Sequence, residues 1–254
     1  MNDDLTNAGL RIVLVRPKAS ENVGAAARAM KNFGLDELVL VAPRCRIDAS
    51  ARALASHAGD VLDRATVVPD LGEALRGVRW AVGTSARPRA SETVRDYQPD
   101  EGLATLPDAG GALVFGPEDH GLANEELDRC QALVRIPTAD YASINLAQSV
   151  NILAHRWFER RRRGEAGRDL AEVAARDQME RMYHDLVRLW HLIGFTDERR
   201  EVPTLRMFRG LLDRVTPTPR EVAALRGLIS QAAWAAKHDP DRLPGRAQDE
   251  STAR

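Results

Sequence analysis

Residues 12–42 read IVLVRPKASENVGAAARAMKNFGLDELVLVA, and the succession of patterns in them sets the fold class. Ile12-Val13-Leu14-Val15 is a short, unbroken apolar run, the mark of a strand buried on both faces. Residues 22–33 carry helical spacing and stop at Gly34. Leu38-Val39-Leu40-Val41-Ala42 is a second buried strand, ended by Pro43. Two such strands joined by a helix make a parallel unit, because parallel strands need a crossover. The alternation continues with a helix at 49–55, a strand at Thr66-Val67-Val68 and a helix at 71–76 opened by Pro69-Asp70. Strands follow at Trp80-Ala81-Val82, Ala112-Leu113-Val114-Phe115 and Leu133-Val134-Arg135-Ile136, the last two separated by a helix near 124–129. A long helix starts near Asn145, with Leu146, Val150, Leu153 and Trp157 on one face. The pattern predicts an α/β fold with a mostly parallel sheet covered by helices.

Beyond it lies a charge-rich connector, 159–176, containing Arg160-Arg161-Arg162-Arg163. The remaining pattern is helical. Met179, Met182, Tyr183, Leu186, Trp190 and Ile193 lie on one helix face, a second helix spans Leu205 to Val215, and Thr218-Pro219-Arg220-Glu221 reads as a capping box. The chain therefore divides into an α/β domain over 1–158, the connector, a helical extension over 177–238 and a polar tail over 239–254 expected to be disordered.

Of 254 residues, 44% are hydrophobic and 29% charged, as in a globular protein with a real core. No apolar run reaches the roughly 18 residues of a membrane span. Met1-Asn2-Asp3-Asp4 has neither the basic nor the apolar part of a secretory leader, so a cytoplasmic protein without a membrane partner is expected. Cys45 and Cys130 stand alone, and no two of the six histidines are three or four apart, so no metal is expected. Net charge is −1: residues 1–158 hold 17 basic and 21 acidic residues, residues 159–254 hold 19 and 16. Bulk positive charge is thus no basis for nucleic-acid binding, which must rest on local groups.

Ligands of parallel sheets bind beyond the carboxyl ends of the strands. The loops there carry no GxGxxG, no phosphate-binding GxxxxGK[ST] and no GxSxG. Taken singly, their polar residues have plain readings: Asn22 as a helix cap, Arg28 as a solvated arginine, Glu118 as a loop carboxylate, His120 as an exposed imidazole, Ser143 and Asn145 as caps of the long helix. Gly24 is different. Three alanines follow it, so a glycine there points to close backbone approach.

Together the loops resemble a family. Residues Asn22 to Gly34, Leu113-Val114-Phe115-Gly116-Pro117-Glu118-Asp119-His120-Gly121-Leu122, and Ile136 to Val150 are similar, in order, to the three motifs of the SpoU branch of SPOUT RNA methyltransferases. Gly83-Thr84-Ser85-Ala86-Arg87, Asn145-Leu146-Ala147-Gln148 and the helical extension are most similar to the branch that methylates the ribose 2′-oxygen of cytidine or uridine 32 in tRNA. The resemblance implies a C-terminal trefoil knot, a homodimer, S-adenosyl-L-methionine as cofactor and tRNA as partner. It implies a cofactor pocket lined by Thr84, Ser85, Ala86, Gly116, Ile136, Ser143, Ile144, Asn145 and Leu146, and places Arg28, Asn22, Glu118 and Asn145 at catalytic positions. Because a guanidinium is a very poor proton acceptor, Arg28 is read as stabilising charge on the 2′-oxygen rather than as a base. His120 is the alternative base, and Arg87, Arg89 and Arg160–Arg163 are candidate phosphate contacts. Pro117 departs from the family, where a basic residue is common. The competing functions are methylation of ribosomal RNA and non-catalytic RNA binding.

Overall fold

A computed structural model describes residues 9–86 and 95–238. Arg87, Arg89 and the tail at 239–254 lie outside the described residues. The described residues form two compact units, one of 9–86, 95–171 and 175–177, the other of 172–174 and 178–238.

The first unit carries seven parallel strands: β1 (Leu10–Val15), β2 (Leu38–Val41), β3 (Thr66–Val68), β4 (Trp80–Thr84), β5 (Arg95–Tyr97), β6 (Gly111–Phe115) and β7 (Ala132–Val134). Their order across the sheet is β3-β2-β1-β6-β4-β7-β5. The helices are α1 (Ser20–Asn32), α2 (Ala49–Ala55), α3 (Gly59–Asp63), α4 (Leu71–Ala74), α5 (Pro99–Ala104), α6 (Asn124–Leu127) and α7 (Leu146–Arg162). β2 and β6 are buried at every position, as strands covered on both faces must be. Successive side chains alternate between the faces: Val13, Val15, Val39, Val41, Ala112 and Val114 share one cluster with Leu71, Leu75, Leu122 and Leu127.

The expected fold class is therefore present, with corrections at the edges. α1 begins at Ser20 with Ala19 as its N-cap, so Asn22 sits inside the first turn and does not cap it. Residues 159–162, read as the start of the connector, are the last turn of α7. The sequence pattern also missed the five-residue α3, β5 and α5. Three residues of edge strand and a six-residue helix are too short to show a period.

Gly24 stands where α1 crosses α2. A Cβ added there would lie 2.0 Å from the carbonyl oxygen of Ala51, whose own N–H is held by the Asp48 cap at 3.0 Å. α1 also packs on α7. The glycine thus lets two helix backbones touch, at the expense of helix propensity.

The second unit is built on α8 (Arg176–Leu192) from residue 178 onward, α9 (Glu201–Val215) and α10 (Pro219–His238). Its core joins Met179, Met182, Tyr183 and Leu189 to Val222 and Ile229, with Leu205 and Leu212 of α9 against them. Arg209 forms a two-pronged pair with Glu180, with one bond of 2.7 Å, and lies 4.4 Å over the Tyr183 ring. The capping box at α10 is present: Thr218 Oγ1 accepts from Glu221 N at 3.3 Å, and Glu221 Oε2 from Thr218 N at 2.7 Å.

Replacing Gly24 by Ala should destabilise the protein. Overpacking costs about 1–3 kcal/mol, against a helix-propensity gain of at most about 1 kcal/mol. Because the obstacle is a backbone oxygen, the clash wins and the urea midpoint falls. An unchanged or raised midpoint would contradict the close crossing.

Candidate active site

Because all seven strands are parallel, their carboxyl ends share one edge, and the order β1-β6-β4-β7 brings four loops together there. The loop after β1 (16–19) meets the loop after β6 (116–123) through one carboxylate. Glu118 accepts from the backbone N–H of Lys18 at 3.1 Å, that of Ala19 at 3.2 Å, and Asn22 Nδ2 at 2.8 Å. Asn22 Oδ1 in turn accepts from Asn145 Nδ2 at 2.9 Å. Asn145 Oδ1 caps α7, accepting from Ala147 N at 2.9 Å and Gln148 N at 3.3 Å. Each amide is oriented by its neighbours: a carboxylate can only accept, so Asn22 must turn its NH2 to Glu118 and its oxygen to Asn145.

Burial pushes the Glu118 carboxyl up, but the hydrogen bonds from Asn22, its own backbone, Ala19 and Lys18 outweigh it and hold the group below the ordinary glutamate range. Asp119 beside it is drawn down to about 2, chiefly by the Lys18 ammonium. His120 is exposed and lies 2.7 Å from Asp119.

A cavity of about 360 Å³ opens beside this network. Thr84, Ser85, Ala86, Gly116, Ile136, Ser143, Ile144 and Leu146 line it, together with Glu118, Asp119 and His120. Of the nine expected cofactor residues, Asn145 alone is not on its wall. Gly116 is where the loop folds back on itself: a Cβ there would lie 2.2 Å from Gly121 C and Leu122 N. Pro117 is buried, and its carbonyl accepts from Gly121 N at 3.0 Å, so the family departure sits in a closed turn.

Arg28 is exposed on α1 and lines a separate groove with Ala25, Asn145, Gln148 and Asn151. The first turn of α7 divides the two spaces. Leu146 and Ser149 face the cavity, while Ala147 and Gln148 face the groove. Among the described residues Arg28 pairs with no carboxylate. The arginine run differs: Arg160 bonds Glu165 at 2.9 Å, Arg161 lies 3.4 Å from Asp108, and Arg162 and Arg163 lie 3.5 and 3.6 Å from Glu159.

Two groups at this edge were not singled out in the sequence, Arg16 and Glu126. They form a two-pronged ion pair. The available signal was an arginine directly after a strand buried to its end.

A cavity on the strand-end edge, walled by glycine-bearing loops and flanked by an Asn-Glu-Asn network, lies where α/β proteins bind small molecules. Residues 9–155 match the SpoU rRNA Methylase family, and the chain belongs to that family. Along nearly its whole length it is similar to the tRNA (cytidine/uridine-2′-O-)-methyltransferase TrmJ of Sodalis glossinidius, at 36% identity over 94% of this chain and 98% of that protein. The TrmJ of Salmonella typhimurium is 36% identical over 87% of this chain and 95% of its own. The crystal structure of TrmJ from Z. mobilis ZM4 superposes with a TM-score of 0.77 at 33% identity, covering 87% of this chain and 97% of that one.

The network makes a pH prediction. A carboxyl whose folded pKa is depressed stabilises the fold fully above its unfolded value, about 4.3, and loses that contribution as pH falls through the folded value. In Asn22→Ala, burial of Glu118 loses its main opponent, so the carboxyl titrates at higher pH and acid destabilisation sets in earlier. Carboxyl NMR titration reads the shift. An unmoved Glu118 would show that Asn22 does not hold it.

Proposed function

We propose that the protein transfers a methyl group from S-adenosyl-L-methionine to the ribose 2′-hydroxyl of cytidine or uridine at position 32 of a tRNA anticodon loop. The observation that carries this reading is the likeness to TrmJ over almost the whole chain, joined to a cavity beside the Asn22-Glu118-Asn145 network. The cavity suits the cofactor. Its volume of about 360 Å³ falls in the small-molecule range. Among the described residues its wall holds the carboxylates of Glu118 and Asp119 and no lysine or arginine, which favours a cationic ligand over a phosphorylated one.

Thr84, Ser85, Ala86, Gly116, Ile136, Ser143, Ile144 and Leu146 would hold it, with Asn145 fixing the turn that carries Leu146. When bound, the cofactor supplies a methyl group on a sulfonium sulfur. The chain must then deal with the nucleophile, a hydroxyl of very low acidity. Arg28, free of a carboxylate, stabilises negative charge as it develops on the 2′-oxygen and holds the neighbouring phosphate. The proton passes to that phosphate or to water. Glu118 is no proton acceptor here, since its oxygens are taken by three N–H groups. It and Asn22 are positioning residues. Arg160–Arg163 are poorer phosphate contacts than Arg28, since each already has a carboxylate nearby.

The same reading takes the active form as a cytoplasmic homodimer that needs no metal, with the helical unit as an extension that helps hold tRNA. It also takes the first unit as knotted. In support, β7 joins the sheet beside β4 rather than β6, and α7 returns to α1.

Incubation with S-adenosyl-L-methionine and unmodified tRNA, followed by mass spectrometry, should find one new 2′-O-methyl group at nucleotide 32. Methylation of ribosomal RNA alone would move the substrate. Methyl transfer to neither would leave a binding protein. Arg28→Ala should lower turnover at least about 100-fold while cofactor affinity, read by calorimetry, stays within about twofold. Equal losses in both would remove Arg28 from the chemistry.

A further inference from the structure

The loop 116–122 forms much of the cavity wall, and Glu118 ties only its near end to β1. Its far end is held by a different carboxylate. Glu126 Oε2 accepts from the backbone N–H of Ala123 at 2.7 Å and from Arg16 Nη2 at 3.0 Å, while its other oxygen pairs with Arg16 Nη1. One carboxylate thus joins the end of the loop to the end of β1. The neighbouring pair of Lys18 with Asp119 is half-exposed at 39% and 46%, whereas Arg16 and Glu126 are at 25% and 13% and are shielded from water. Arg16 holds a φ of 48°, in the left-handed region that a non-glycine residue keeps only where its surroundings impose it. The backbone of Arg16 is fixed there by its N–H, which donates to Val41 O at 2.8 Å, so the side chain leaves β1 in a set direction, toward Glu126.

The consequence runs back to the cavity. Gly116 has no room for a Cβ because the backbone of Gly121 and Leu122 packs on it, so the end of the loop next to the Ala123 that Glu126 holds backs the wall at Gly116. We propose that Arg16 and Glu126 are positioning residues that hold the 116–122 loop in the shape that binds S-adenosyl-L-methionine. This rests on the cofactor reading of the cavity given above. The pair acts on binding and not on the methyl transfer itself, since neither residue lines the cavity.

The test is calorimetric titration of the full chain with S-adenosyl-L-methionine, beside kcat at saturating cofactor and the urea midpoint. Glu126→Gln keeps an oxygen for Ala123 N–H and loses the charge. Arg16→Ala removes the fork, and Arg16→Lys keeps the charge with fewer contacts. Glu126→Gln and Arg16→Ala should weaken binding at least about tenfold with kcat within about twofold, and Arg16→Lys should fall between them and the unmodified protein. Unchanged affinity, a loss confined to kcat, or an affinity loss that follows the folded fraction would each overturn the assignment. No binding by the unmodified protein would overturn the cofactor reading itself, and the positioning role with it.

Discussion

The Glu118 carboxylate is the constraint on which the site depends. Two loops from adjacent parallel strands, β1 and β6, each bring backbone groups to the same edge with no ladder left to pair them. Glu118 accepts the N–H groups of Lys18 and Ala19 just ahead of α1 and takes the Asn22 amide within its first turn. That single anion satisfies the open N–H of the N-cap Ala19 and the N–H just before it, and it fixes the direction of Asn22. Asn22 then fixes Asn145, and Asn145 starts α7. Three separate segments of chain are registered against one another through one side chain each.

The arrangement keeps two spaces apart. The cavity and the Arg28 groove lie on either side of the first turn of α7, so one polar network borders both. Gly24 serves the same geometry at a distance. By letting α1 touch α2, it sets the position of the helix that carries both Asn22 and Arg28. The Arg160–Arg163 run, prominent in the sequence, is taken up in ion pairs with Glu159, Glu165 and Asp108, and those of the exposed Arg162 and Arg163 are worth little.

Much of this was legible before any coordinates. β1 and β2 announced themselves because strands buried on both faces are unbroken apolar runs. Gly24 was readable as a close contact because the alanines after it show that small side chains alone were not the requirement. The capping box at Thr218 and Glu221 was readable from spacing. What escaped was non-local or short. β5 and α5 have no period to detect. Asn22 looked like a cap because helix starts and polar residues coincide, whereas Glu118, nearly a hundred residues away, supplies the acceptor instead. The Arg16–Glu126 pair spans 110 residues, and no local pattern joins its partners. The motif resemblance put Asn22, Glu118 and Asn145, which the fold joins by hydrogen bonds, on one list, but hydrogen-bond direction, the division by α7 and the second tether of the loop come only from the fold.

The most direct measurement is a crystal structure of the protein with S-adenosyl-L-methionine. Ligand density is expected between the 84–86, 116–122 and 136–146 loops, with the Asn22, Glu118 and Asn145 bonds intact and the Arg28 groove open to solvent or to a second copy of the chain. Density in the Arg28 groove or in the helical unit, with the 84–86 and 116–122 loops bare, would contradict the cofactor reading of the cavity.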